Sequence, residues 1–299
     1  MADKVSPEAR VTAQILEHLE NGVRPWVQPW AGGSSDMPIR SNGEAYRGVN
    51  VLLLWMSGAA SSFTSNRWMT YQQAKALGGQ VRGGQTGTYI VKYGQTVIEA
   101  DQSKPDDDSQ KRTRGWLRGY TVFNTDQIDN LPGEFYPLAS THEGVPGVDW
   151  NERLEQDLAR TGADISWSGA SAYYAPAQDH IRMPDRHLFA DAEQAYSTLC
   201  HELVHWTGAA HRLKRDFGND RAAYAREELV AEMGAAFLGS RLGFRPDHIE
   251  DHAAYLSHWI KVLRADSRAI LRAASKAQAA TDYILGLVGG QHTVNRLAA

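Results

Sequence analysis

His201-Glu202-Leu203-Val204-His205 closes the segment Asp191-Ala-Glu-Gln-Ala-Tyr-Ser-Thr-Leu-Cys-His-Glu-Leu-Val-His-Trp-Thr-Gly208, and its reading decides the fold of half the chain. Residues four apart share one face of a helix, so His201 and His205 can turn a ring nitrogen toward one metal ion. Glu202 sits beside them, placed to take a proton from a water molecule that the ion activates. Imidazole suits zinc, and a site with few protein ligands leaves a position open for water; another divalent ion such as Mn2+ is the substitute. The implied chemistry is metal-assisted amide hydrolysis. Tyr196, Leu199 and Leu203 fall roughly opposite the histidines and should bury, and Gly208 is a natural stop.

A second helix is expected from about Asp220 to Leu242, through Ala225-Arg-Glu-Glu-Leu-Val-Ala-Glu-Met-Gly-Ala-Ala236. Glu228, Ala231, Glu232 and Ala235 share a face by helical spacing, and the two alanines let another helix approach closely. Glu228 can therefore reach the metal. These residues resemble the gluzincin metallopeptidases, whose second helix carries a pattern like E-E-x-x-A-E. That resemblance makes His201, His205 and Glu228 the ligands and Glu202 the general base. It makes Glu232 an outer carboxylate that orients a histidine. Cys200 points about 100° away around the helix and reads as a small buried apolar residue, not a ligand. Tyr224, one turn before Glu228, reads as core packing, although its hydroxyl could serve an oxyanion.

A chain of 299 residues with net charge −4 suggests two domains and carries no strong global charge. One cysteine excludes an internal disulfide framework and fits a reducing compartment. Residues 1–10 lack an apolar h-region, and the longest apolar run, Val51 to Met56, is too short for a bilayer. The expectation is a soluble, cytoplasmic protein with no membrane partner.

The first half opens with a helix over about Ser6 to Asn21, striped by Val11, Ile15, Leu16 and Leu19 and closed by Gly22. Arg24-Pro-Trp-Val-Gln-Pro-Trp30 then holds two indoles on a stiff extended backbone. Thr70, with Gln73 three residues on, signals the start of a short helix. Val81 to Lys92 reads as two strands around a glycine-rich turn, and Trp116 to Asn124 as another strand. Residues 99–115 are charged without apolar residues and read as a mobile loop. Residues 125–147 read as a linker, which sets domains of 1–147 and 148–299.

Between Arg24 and Ile98 there are seven basic residues against two acidic, a net +5, together with nine aromatics. Cations interleaved with rings suit single-stranded nucleic acid, because bases stack on rings while cations follow phosphates. The candidates for that contact are Trp26, Trp30, Arg40, Tyr46, Arg47, Arg67, Trp68, Arg82 and Lys92.

Tyr46-Arg-Gly-Val-Asn50, Arg67-Trp-Met-Thr-Tyr-Gln-Gln-Ala74 and Gly79-Gln-Val-Arg-Gly-Gly-Gln85 resemble the N-terminal domain of ArdC-type antirestriction proteins. The likeness extends to His201–Gly208 and Arg212-Leu213, with Ala209 as a departure from a position where the family often has histidine. It implies an α+β protein of two domains, an N-terminal α+β domain that binds single-stranded DNA and a C-terminal zincin-like metallopeptidase domain. The implied role is protection of incoming mobile-element DNA from host restriction. The alternative is a zinc metallopeptidase that cleaves a host restriction enzyme subunit or another DNA-associated regulator, with the first domain only for targeting.

In the second half, Asp149 to Arg160 should be a helix. Tyr173-Tyr-Ala-Pro176 and Asp179-His-Ile-Arg-Met-Pro184 should form a hairpin ahead of the active helix, offering an edge to an extended peptide. His180, alternating with Ile181 and Met183, reads as structural. Two alanine-rich helices over about 246–265 and 266–287 complete the scaffold.

Overall fold

The computed structural model describes residues 5–26, 37–98, 112–136, 150–218, 220–244 and 253–289. Helix α1 (Pro7–Glu20) starts where Ser6 accepts from the Ala9 amide and buries Val11, Ile15 and Leu19. A short strand β1 (Ile39–Arg40) follows, then α2 (Val49–Ser61), whose apolar run is buried from Val51 to Met56. Strand β2 (Arg67–Met69) leads into α3 (Tyr71–Ala76), opened by the expected capping box of Thr70 and Gln73. Strands β3 (Gln80–Val81), β4 (Thr88–Ile98) and β5 (Arg112–Asn124) come next, then β6 (Ile128–Asp129).

The first sheet runs β1-β2-β5-β4, and β3 pairs with β6 in a separate two-stranded piece. The glycine-rich turn thus joins strands of different sheets instead of closing a hairpin. Two boundaries need correction. Residues 112–115, expected in a loop, begin strand β5, because pairing with β4 satisfies their backbone groups. Residues 125–136, expected in a linker, belong to the first unit, with β6 on β3 and Ile128 and Leu131 buried beside Met69. The proposed boundary at 147 lies outside the described residues.

The second unit contains α4 (Glu152–Ala159), capped by Asn151, and strands β7 (Asp164–Trp167), β8 (Tyr173–Ala175) and β9 (His180–Met183) in the order β7-β9-β8. β8 and β9 form the expected antiparallel hairpin, but β9 is central and β8 is the edge. Helices α5 (Ala192–Thr207), α6 (Arg221–Leu242), α7 (Ala253–Ala265) and α8 (Ala269–Leu287) complete the described chain. From Glu227 to Ser240 every residue of α6 is buried, so this stretch of the helix has no solvent face and runs through the core. A Cβ on Gly234 would come within 2.6 Å of the Val204 side chain, which shows how closely α5 and α6 approach.

The two units share one core. Trp26 packs edge-on against Trp259 with ring centroids 5.3 Å apart, and Thr12 donates to the Ser267 carbonyl at 2.7 Å. Gly48 donates its amide to Gln278, and Arg47 pairs with Asp282 on α8. The two-domain, mixed α and β architecture is therefore a fused one. No helix among the described residues is long and apolar enough to cross a membrane.

Candidate metal centre

Asp191 caps α5 by accepting from the Gln194 amide, and Asp220 caps α6 by accepting from Ala223. These caps set where each helix begins. Their contact brings His201, His205 and Glu228 together. His201 Nε2 lies 3.1 Å from His205 Nε2 and 3.4 Å from Glu228 Oε2, and His205 Nε2 lies 3.5 Å from Glu228 Oε1. Bonds of about 2.0 to 2.1 Å to a tetrahedral ion place its ligand atoms about 3.3 to 3.4 Å apart. The three side chains form a triangle of ligand size, one atom from each lying within 4.8 Å of the other two. Among the described residues this is the group of His, Cys, Asp and Glu side chains placed to hold a metal.

Charge points the same way. Glu202, Glu227, Glu228 and Glu232 are all buried around two imidazoles. Burial opposes charge on His205, yet hydrogen bonds to Glu227 and Glu228 outweigh it and push its pKa up to about 10. Hydrogen bonds from His201 and His205 hold Glu228 well below the usual carboxylate range despite its burial. A divalent cation can take the place of those imidazolium protons. These glutamates form no solvated face, since Glu228 is 3 % and Glu232 0 % exposed.

Sequence reasoning missed Glu227 and Arg215. With Nε2 of His205 facing the triangle, its Nδ1 lies 3.4 Å from Glu227 Oε1 and donates to it. Arg215 Nη2 donates to the same carboxylate oxygen at 2.7 Å, and Nη1 donates to Thr207 Oγ1 at 2.7 Å. Glu227 thus holds the ring of His205, the kind of role assigned in advance to Glu232. The doublet Glu227-Glu228 was visible, but nothing in the sequence joined it to Arg215. Glu232 accepts from Trp26 Nε1 at 3.2 Å and interacts electrostatically with His201, and its burial raises its pKa to about 7.

That bond corrects the nucleic-acid candidates. Trp26 is 0 %, Trp68 2 % and Tyr46 6 % exposed, so none of these three rings offers a face to a base. Aromatic rings carry large apolar area, and here the core takes it. Trp30 lies outside the described residues. Arg40 pairs with Glu44, Arg47 with Asp282 and Arg82 with Asp129. Arg67 donates to the Ser41 carbonyl and lies over Phe135, and burial lowers its pKa. Lys92 is exposed.

A cavity of about 340 Å³ opens over the triangle, between α5, the β8 edge and the start of α6. Tyr173 and Tyr224 line it, and Tyr224 is half exposed, which overturns its assignment to the core. The β8–β9 turn is tied to the end of α5: Arg212 donates to Asp179 at 3.0 Å and to the Trp206 carbonyl at 2.7 Å, and Tyr174 donates to Asp179 at 2.8 Å. Cys200 is buried, its thiol pushed up by desolvation, and it stays out of the ligand set. His180 sits between Asp164 and Ser166, a structural role as expected.

Comparison with known proteins follows these two units. Residues 6–123 match the N-terminal domain of anti-restriction factor ArdC, and residues 152–276 match the zincin-like metallopeptidase family MPTase-PolyVal. The chain is 39 % identical over 284 residues to Uncharacterized protein y4eC of Sinorhizobium fredii (strain NBRC 101917 / NGR234), covering 92 % of this chain and 90 % of that one. It is 36 % identical over 297 residues to DNA primase TraC of Escherichia coli, but spans only 19 % of that protein. The metal-free crystal structure of antirestriction ArdC from plasmid R388 superposes with a TM-score of 0.82 at 40 % identity, over 95 % of this chain and 98 % of that one. Its Mn(II)-bound form superposes with a TM-score of 0.80 at 40 % identity, over 96 % and 99 %. The zincin-like fold implies a divalent metal, and the triangle supplies a place for it. With both halves matched, in order and over nearly its whole length, this chain belongs to the ArdC antirestriction family.

Proposed function

We propose that this protein is a cytoplasmic antirestriction factor that binds single-stranded DNA and shields DNA of a mobile element, entering by conjugation, from host restriction. Its second unit carries a zinc-dependent peptidase-type centre. The observation that carries the chemical half is the triangle of His201, His205 and Glu228, with Glu202 on the adjoining cavity wall. The R388 relative bears the name antirestriction, and a similar segment occurs within a protein named DNA primase TraC, which supports a role on DNA.

His201, His205 and Glu228 would hold a divalent ion, which would supply carbonyl polarisation and a more acidic water. Glu227 keeps His205 in the tautomer that presents Nε2 inward, and Arg215 fixes Glu227. Glu232 steadies the far side of the centre through Trp26. Glu202 takes the proton from the attacking water and returns it to the leaving amine. Tyr224 lines the cavity wall, which supports a role as donor to the developing oxyanion.

The second reading, cleavage of a restriction subunit or DNA-bound regulator, is favoured by one feature. β8 is an edge strand beside the cavity, so its free backbone edge can pair with an extended peptide. Glu202→Gln separates the two, because it keeps the metal and removes the base. Protection of transferred DNA that survives this change in a conjugation assay supports shielding by binding. Protection that disappears while metal and DNA affinity persist makes hydrolysis the working activity.

A further inference from the structure

Neither the metal centre nor the shared core uses the outer part of the β4–β5 ribbon. Thr88–Ile98 and Arg112–Asn124 contain Lys92, Arg112, Arg114 and Arg118 and no aspartate or glutamate. The register sets Lys92 opposite Arg118, Gly94 opposite Trp116 and Thr96 opposite Arg114. Alternation along each strand then collects Lys92, Arg114, Trp116, Arg118 and Tyr120 on one face. Like charges directly opposed across a strand pair are destabilising. Among the described residues no carboxylate pairs with Lys92, Arg114 or Arg118 to relieve it.

The aromatic part of this face is flat by construction. A Cβ on Gly94 would come within 2.1 Å of the Trp116 ring, so glycine lets the indole lie across the ribbon. The Arg118 guanidinium sits 4.8 Å from the indole centroid, and Tyr120 is 39 % exposed. The ribbon is anchored at its base, where Asn50 on α2 donates to the Val91 carbonyl and accepts its amide. From Arg114 to Tyr120 the strip runs about 20 Å at about 3.3 Å per residue, a length that fits a few extended nucleotides.

We infer that this face is the contact strip for single-stranded nucleic acid, with phosphates along Lys92, Arg114 and Arg118 and bases stacked on the indole, the guanidinium plane and Tyr120. The assignment rests on the single-stranded DNA-binding reading above, and gives it a surface that the buried Trp26, Trp68 and Tyr46 cannot. Stacking needs open base faces, which a duplex hides and a single strand offers.

The test is fluorescence anisotropy of the full-length protein with labelled oligothymidine and the matching duplex, across a salt series. Wild type binds the single strand more tightly. The combined Lys92→Ala, Arg118→Ala variant weakens that binding tenfold or more, flattens its salt dependence, and melts no lower than wild type. Trp116→Ala weakens binding about five- to hundredfold, Trp116→Phe restores most of it, and Lys261→Ala on α7 stays within twofold. Wild-type binding that persists within twofold in both alanine variants overturns the strip and leaves the functional reading in place. No single-strand preference in the wild type at low salt overturns that reading and the strip together.

Discussion

In the metal centre Glu227 meets Arg215 at 2.7 Å and Glu228 meets two imidazoles, whereas on the β4–β5 ribbon Lys92 faces Arg118 with no carboxylate paired to either among the described residues. A buried charge is tolerated only when it is paired and hydrogen-bonded, so the partners of the interior set are found inside the fold. Surface cations set against each other carry no such obligation, because water solvates them. Their partner can be sought outside. The same division sorts the tryptophans: Trp26 spends its N–H on Glu232 inside, while Trp116 lies flat on the surface.

The largest effect expected on the interior side is from Trp26→Ala. It removes a fully buried indole and the donor to Glu232, and should cost about 3 to 5 kcal/mol in urea unfolding. A loss under about 1 kcal/mol would place that indole outside the core and break the comparison. Glu228→Ala comes next. By removing one of three ligand atoms it should lower divalent metal affinity by more than the roughly 10- to 100-fold that outer partners command, read by calorimetric titration with Zn2+. Glu227→Gln keeps the shape but loses the charge that holds His205, and should weaken metal binding by about 10- to 100-fold. An unchanged affinity would detach Glu227 from the site.

The smallest effect concerns the Arg212–Asp179 lock, which is partly exposed and so bridges the two regimes. Hydrogen bonds from Arg212 hold the Asp179 carboxyl at about 2, below its ordinary value. Its contribution is therefore complete above about pH 4 and fades as the pH falls toward 2. With Asp179 40 % exposed, solvent screening keeps that contribution near or below about 1 kcal/mol. Asp179→Asn should be slightly less stable than wild type at pH 6, and the gap should narrow below pH 4. A gap that widens in acid would contradict the lock.

What the sequence made legible was local. Two histidines one helical turn apart, the stop at Gly208 and the Thr70–Gln73 box all act within a few residues, and each stands where spacing put it. Glu228 was reachable too, because helical periodicity and an inward carboxylate point the same way. What failed was tertiary. Composition marked Trp26, Trp68 and Tyr46 as ring faces for bases, but an aromatic run reads alike whether it lines a groove or fills a core. Residues 125–136 looked like a linker because the stretch 125–147 is rich in Pro, Gly, Asp and Glu, while their partner β3 lies nearly 50 residues back. Arg215 sits in an irregular stretch whose meaning appears only when α6 brings Glu227 beside it. The ribbon face was hidden for a similar reason: Lys92 and Arg118 become neighbours only through strand register.

The most direct test of the account is anomalous diffraction at the zinc absorption edge from crystals of this protein grown with Zn2+. The account predicts a peak bonded to Nε2 of His201, Nε2 of His205 and a carboxylate oxygen of Glu228, beside Glu202. Full zinc occupancy elsewhere, with the triangle left without a peak, would contradict it.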